Sequence, residues 1–341
     1  MGVSVIVGGQ YGSEGKGKVS YFFTKKLGAS CVVRVGGPNS GHTIIHDYRK
    51  MKFQTLPVSS VIDGVTCVLP AGSYIDIDRL QEEISISGID ESHLKIHPNA
   101  VIITESMKVK EINSNLHQNI GSTNSGTGAG VMARVSREES GPILLAQDSI
   151  LSKYVCDTTE YMRSLLDDNR EIIIEGTQGF GLSLFHTSEY PFATSRDTTA
   201  AGFLSEAGLS PFDVKNIIMV IRAFPIRVAG NSGTLPNEIS WKEVTNISQS
   251  PTDIVERTTV TNRIRRVANF DARIVKRAIA VNKPNVIVLN HCDYFDYKIH
   301  GKRELSFSSE KGIASIEEAI GRNIDFIGTS DSEIFSRILT K

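Results

Sequence analysis

The 341-residue chain has little of what would place it in a specialised class. Its four cysteines, Cys31, Cys67, Cys156 and Cys292, are far apart and form no CxxC pair, which argues against a disulfide scaffold or a cysteine-rich zinc site. Cys31 and Cys292 lie in or just after apolar runs, where free buried thiols in a reducing compartment are expected. No apolar run approaches the roughly 20 residues that span a bilayer. Met1 leads straight into strand-like sequence, so no signal peptide is expected. Neither sign of charge dominates: 37 Lys plus Arg stand against 38 Asp plus Glu, a formal net charge of −1. Nothing in that balance suggests a nucleic-acid or membrane partner, and a cytoplasmic protein is expected. Repeats and low-complexity tracts are missing too.

What is present is an alternation of short β-branched runs with helical stretches. Val3–Val7, Cys31–Val35, Glu171–Ile174, Ile217–Ile221 and Val286–Leu289 read as buried parallel strands. Val19–Leu27, Tyr154–Leu166 and Phe270–Val281 read as helices between some of them. The expected fold class is α/β, a mostly parallel central sheet flanked by helices, with ligands outside the carboxyl ends of the strands. No domain boundary is evident, so residues 1–341 are expected to form a single catalytic domain.

The first strand runs into Gly8-Gly9-Gln10-Tyr11-Gly12-Ser13-Glu14-Gly15-Lys16-Gly17-Lys18. A glycine-rich turn that opens a helix points bare N–H groups at an anion, and the lysines add charge. The spacing from Gly9 to Gly15-Lys16 is one residue longer than a Walker loop, and Gly17 stands where that loop has Ser or Thr. An ordinary ATPase is therefore not expected. A second loop, Gly36-Gly37-Pro38-Asn39-Ser40-Gly41-His42-Thr43, also follows a strand. A lone histidine is more often structural than catalytic, but small neighbours here leave room for a ligand. Gly121–Gly130 (GSTNSGTGAG) resembles a linker, yet its Ser122-Thr123 pair and nearby Arg134 and Arg137 favour a binding role. Further on come Glu175-Gly176-Thr177-Gln178-Gly179, Tyr190–Ser195, and a Thr/Asn segment ending in Arg263, Arg265 and Arg266. Guanidinium forks there suit carboxylate or phosphate.

Taken together, GQYGSEGKGK, GGPNSGHT, IGSTNSGTG, EGTQG, YPFATS, RVAGNSG and TNRIRR resemble adenylosuccinate synthetase over nearly the whole chain. The chain is similar to the compact versions of that family. The resemblance implies a P-loop-like fold and a ligase that phosphorylates O6 of a purine nucleotide, then displaces the phosphate with L-aspartate. It implies a catalytic set of Ser13, Lys16, His42 and Gln178, with His42 as general acid at O6, Lys16 as phosphate anchor and Gln178 beside O6. Asn39, Thr123 and Thr194 would grip the 5′-phosphate, Val228 would lie near the ribose, and Ser122 and Gly230 would also bind the nucleotide. Arg137 would reach the nucleotide from a second subunit, which implies a homodimer. Val260, Thr261, Asn262 and Arg263 would close on aspartate. The triphosphate donor would meet Gly12, Ser13, Glu14, Gly15, Lys16, Gly17 and Lys18, then Gly41, His42, Thr43 and Arg265, and finally His291, Asp293, Gly328, Thr329 and Ser330. Magnesium is the implied cofactor, with Ser13 and the carbonyl of Gly41 as ligands.

Two departures from the family pattern carry information. Ser13 stands where the family has an aspartate that takes the N1 proton and binds magnesium, and a serine hydroxyl is too weak an acid to act as that base unaided. The same change characterises phage relatives that accept dGMP and make 2-amino-2′-deoxyadenylosuccinate, a precursor of 2-aminoadenine DNA. The smaller serine leaves space for the guanine 2-amino group and offers it an acceptor. A phage-encoded chain would work in the host cytoplasm. His291, before Cys292-Asp293, replaces a lysine that lies along the donor base in GTP-using relatives, so ATP or dATP is expected as donor. A water relay, His42 or a second magnesium-bound species remain alternatives for the N1 base. The competing readings are an ordinary IMP- and GTP-using synthetase that tolerates Ser13, and a non-catalytic nucleotide-binding switch.

Overall fold

The computed structural model describes residues 2–137, 143–258 and 262–337. Nine strands form the central sheet: β1 (Val3–Gly8), β2 (Cys31–Arg34), β3 (Thr66–Leu69), β4 (Leu94–Ile96), β5 (Ile172–Glu175), β6 (Val214–Arg222), β7 (Val286–Asn290), β8 (Phe326–Gly328) and β9 (Ile334–Ser336). Their order is β9-β8-β7-β6-β1-β5-β2-β3-β4, with every pair parallel except β8 and β9. The mostly parallel α/β sheet is thus borne out, and all five expected strands lie in it.

Strands covered on both faces read as continuous apolar runs rather than alternating ones. Val3, Val5 and Val7 pack with Phe203, Val275 and Ile313, from the helices Ala200–Ala207, Ala272–Asn282 and Phe307–Ile320. Ile6 points the other way, into a cluster with Val19 and Phe23 of α1 (Lys16–Leu27). Burying a side chain of this size is worth about 1.5–3 kcal/mol. The expected helices appear as Lys16–Leu27, Thr158–Asp167 and Ala272–Asn282. Cys31, Cys67 and Cys292 are buried free thiols, and Cys156 is free and half-buried. Among the described residues no helix is long and apolar enough to cross a membrane.

β1 lies between β5 and β6, and the chain on either side of it leaves in opposite directions across the sheet. Such a reversal opens a crevice at the strand ends. Smaller elements wall it: the hairpin His42–His46/Arg49–Phe53, the helix Thr127–Ser136, and a three-stranded sheet of Ile226–Arg227, Arg266–Ala268 and Glu238–Ile239.

Candidate active site

Four strands, two on either side of β1, end in buried polar residues that form a floor beneath the loops of the crevice. They are Arg34 on β2, Glu175 on β5, Arg222 on β6 and Asn290 on β7, each no more than 3% exposed. Parallel register sets Arg34 beside Glu175 and Arg222 beside Asn290. Buried polar groups persist where they are paired, and these are paired with the loops above them. Asn290 donates to the carbonyl of Glu14 at 2.7 Å. Arg222 donates to the carbonyl of Ser13 at 3.0 Å, while Gln10 exchanges two hydrogen bonds with the Arg222 backbone.

This floor fixes the glycine-rich loop. Gly15 caps α1 at φ 90°, and a Cβ there would sit 2.6 Å from Asn290 Nδ2. Most helices in the chain receive an Asp, Ser or Thr cap, but α1 has no side-chain cap and no acidic residue in its first turn. Its free N–H groups and dipole are therefore open to an anion from the crevice. Glu14 is fully buried beneath the loop, accepting from Gly12 N at 2.8 Å and Gln10 N at 3.2 Å. Its other oxygen pairs with Lys16 at 2.7 Å, so the lysine has an internal counter-charge. Lys18 donates to the carbonyl of Ser330 at 2.7 Å, and burial lowers its pKa to about 8. Ser13 is exposed at φ 58°, and Gln178 across the crevice also has φ 58°. Left-handed conformations in non-glycine residues cost about 1–2 kcal/mol and persist where surroundings over-determine them.

His42 begins the hairpin, 7% exposed. Its Nδ1 lies 2.6 Å from Glu175 Oε1, and its Nε2 lies 3.3 Å from Arg34 Nη1. With Nδ1–H donating to the carboxylate, Nε2 is the acceptor nitrogen, shared between Arg34 and the cleft that His42 lines. Burial, then the Arg34 charge, lowers the imidazole pKa to about 4 against the opposing pull of Glu175. Burial alone would raise Glu175, but His42 and Arg34 outweigh it and hold the carboxyl below its ordinary value. His42 is thus neutral near pH 7, oriented by a buried carboxylate.

The crevice widens into a cleft of about 710 Å³. Its walls bring together Gly12, Ser13, Gly15, Lys16, Gly17 and Lys18 with Asn39, Gly41, His42 and Thr43. Ser122, Thr123, Gln178, Thr194 and Val228 join them, as do Asn262, Arg263, Arg265, His291 and Ser330. Residues more than a hundred positions apart meet here: Asn39 Nδ2 donates to Thr194 Oγ1 at 3.5 Å. Glu14 lies under the loop, and Gly230, Asp293, Gly328 and Thr329 stand outside the cleft wall. Asp293 gives one oxygen to His300 Nδ1 at 2.8 Å, while Thr329 donates to the Lys302 carbonyl. Arg137 is exposed at the end of the helix Thr127–Ser136, away from the cleft of its own chain. Val260 and Thr261 lie outside the described residues.

The sequence model of the family described as adenylosuccinate synthetase matches residues 5–141 and 142–300. The chain belongs to that family. An adenylosuccinate synthetase from Methanococcus aeolicus is 33% identical over 339 residues, covering 96% of this chain and 97% of the relative. An N6-succino-2-amino-2′-deoxyadenylate synthase from Vibrio phage phiVC8 is 34% identical over 305 residues, covering 86% of each. Among solved structures, the cyanophage S-2L succinoaminodeoxyadenylate synthetase (PurZ) bound to dGMP and dATP superposes with a TM-score of 0.81. It is 28% identical, with 98% of this chain and 95% of that one covered. The fully ligated adenylosuccinate synthetase from Plasmodium falciparum, 20% identical with a TM-score of 0.84 over 99% of this chain and 100% of that one, shares the fold. As a synthetase of this family the protein is a carbon–nitrogen ligase, which removes the non-catalytic switch from the alternatives.

Several residues that build this synthetase cleft carried no role in the sequence reading. Arg34, Glu175 and Arg222 each end an apolar strand run with a charge, a signal that could have marked the floor. Glu111 had no such signal. Its buried carboxylate accepts from Gly128 N at 2.6 Å, Gly126 N at 2.9 Å and Ala129 N at 3.1 Å. That pins the GSTNSGTG segment, which is therefore no linker. Arg227 lines the cleft with Nε and Nη2 buried and without protein partners, over the ring of Tyr11.

Proposed function

We propose that this ligase joins L-aspartate to C6 of dGMP with ATP or dATP as phosphoryl donor. The observation that carries the reading is Ser13, an exposed hydroxyl on the cleft wall where the family has a base carboxylate. The phage phiVC8 relative and the dGMP- and dATP-bound cyanophage neighbour support it. O6 attacks the γ-phosphorus and ADP leaves; the aspartate amine then attacks C6, and phosphate departs carrying O6. The N1 proton and the surplus amine proton are released. The product is 2-amino-2′-deoxy-N6-succinyladenylate, used for 2-aminoadenine DNA in a host cytoplasm.

In this reading the chain works as one catalytic domain. The uncapped start of α1, with Lys16, Lys18 and Arg265, faces the triphosphate, and charge on the moving phosphoryl is offset there. His42 and Gln178 meet O6, and His42 serves as the acid there once Nε2 has gained a proton, while Glu175 holds Nδ1. Asn39, Ser122, Thr123 and Thr194 grip the 5′-phosphate, Val228 and Gly230 flank the sugar, and Arg263 clamps the aspartate carboxylates. Asp293 gives Oδ2 to His300 and keeps Oδ1 unpartnered, and His291 lines the cleft where GTP-using relatives have a lysine along the base, which favours adenine. Among the described residues no group of three or more His, Cys, Asp or Glu could hold a metal. Magnesium takes only one or two protein oxygens when phosphates and water fill its shell. The Ser13 hydroxyl and Gly41 carbonyl suit an ion arriving on the triphosphate, which would polarise the phosphoryl oxygens.

We read the working form as a homodimer in which Arg137 enters the partner's cleft. Met132 and Val135 on its helix, and Val109 and Ile112 on the adjacent helix, are exposed apolar side chains suited to burial there. The substrate assignment is tested by giving purified protein ATP, Mg²⁺ and aspartate with dGMP, GMP or IMP, and identifying products by mass. A succinylated dGMP product is expected. Strong turnover of IMP with none of dGMP would instead support the ordinary synthetase.

A further inference from the structure

Arg222 is, with Arg227, the largest fully buried side chain among the described residues and sits at the carboxyl end of β6, yet it neither lines the cleft nor belongs to a core cluster. Its guanidinium joins two loops. One nitrogen, Nη1, donates to the Ser13 carbonyl at 3.0 Å and to Glu256 Oε2 at 3.2 Å, and Nη2 pairs with Glu256 Oε1. Tyr294 adds its hydroxyl to the same carboxylate at 3.0 Å. Burial opposes ionisation of Glu256, but Arg222, with His291 and Arg265 nearby, holds its carboxyl at about 2. The pair is therefore charged at any working pH.

Glu256 begins the stem of the arginine segment. Arg265 N donates to the Glu256 carbonyl at 2.9 Å, Arg257 and Ile264 form an antiparallel bridge, and Thr258 N donates to the Arg263 carbonyl at 2.9 Å. The stem so fixed presents Asn262, Arg263 and Arg265 to the cleft. At the other end of the guanidinium, the Ser13 carbonyl belongs to a left-handed residue that needs an external partner to hold it.

We infer that Arg222 and Glu256 are positioning residues that tie the arginine segment to the backbone of Ser13, so that an anion seated on the glycine-rich loop sets the position of the arginines opposite. A planar fork holds both acceptors in a fixed mutual geometry, which a lysine's rotatable donors on a flexible stem do not. Arg222 lies outside the cleft lining, and the Glu256 carboxylate, at the cleft's edge, is engaged by Arg222 and Tyr294, so the pair acts on geometry. This rests on the cleft being the family's nucleotide site, whichever purine it takes.

The chain carries its own reporter. Its single tryptophan, Trp241, donates Nε1–H to the Arg265 carbonyl at 2.7 Å and stands edge-on to Tyr294. Addition of ATP with Mg²⁺ to the wild-type protein is expected to shift Trp241 emission. Glu256→Gln keeps the shape but removes the charge. It should lose that response while calorimetric ATP affinity falls by no more than about tenfold, because the loop's own anion contacts are intact and only the Arg265 contact is loosened. Arg222→Lys should lose it too, and supplies the test if the first variant is poorly folded by thermal melt. An unchanged response in both variants overturns the inference, as does a wild-type protein that binds ATP without any response. Loss of ATP affinity in step with the response also overturns it, reducing the pair to a structural role. If dGMP is not turned over while ATP binds and Trp241 responds, the substrate reading falls and the coupling stands.

Discussion

Ser13→Asp should move the enzyme from dGMP toward IMP. An aspartate here restores a base within reach of N1, and positioned general bases contribute about 10²–10⁴-fold. IMP turnover should rise by about that factor in the variant. dGMP turnover should fall, because the larger carboxylate takes the space read here as serving the 2-amino group. Folding should not intervene. Ser13 is exposed at φ 58°, and aspartate enters left-handed conformations more readily than most residues. Product ratios from an equimolar dGMP and IMP mixture measure the effect. An unchanged ratio would mean that residue 13 does not select the purine.

Glu175→Gln and His42→Ala should each lower kcat about a hundredfold or more, and the double variant should be no worse than either alone. The reason is the 2.6 Å contact: Glu175 fixes the tautomer that leaves Nε2 to the ligand, so the two act as a unit. Multiplicative losses would separate them. Glu175→Gln also leaves Arg34 buried without its charge partner, a change that typically costs 3–5 kcal/mol, so the rates must be taken below the variant's melting range. The pH dependence has a defined sign. His42 titrates near 4 in the fold and near 6.5 when unfolded, so between these values the unfolded chain binds the extra proton. Stability therefore falls as pH drops through that window, and the wild-type melting temperature should fall with it. His42→Ala should flatten the decline.

The parts of this architecture readable in sequence are those with short-range causes. Val3–Gly8 and Cys31–Arg34 announce themselves by β-branched residues, and Gly15 by the turn that only a permissive backbone makes. His42, Asn39 and Thr194 were found as loop residues after strands, and the structure does gather them. What could not be read was pairing across the chain. The Arg222 contact with Ser13 spans 209 positions and that of His42 with Glu175 spans 133, and no local pattern encodes either. The donor-side residues have unread partners as well. Asp293 and Thr329 sit next to cleft residues in sequence, but a short helix turn and an adjacent strand end direct them to His300 and Lys302.

The central claim is that a guanine deoxynucleotide is activated at O6 by phosphorylation and that aspartate then displaces the phosphate from C6. The direct measurement uses dGMP labelled with ¹⁸O at C6, with ATP, Mg²⁺ and aspartate, and follows the released phosphate by mass. The account predicts one ¹⁸O in each phosphate formed and none in the succinylated product. Succinylated product accompanied by unlabelled phosphate, or labelled IMP giving labelled phosphate where dGMP gives none, would contradict it.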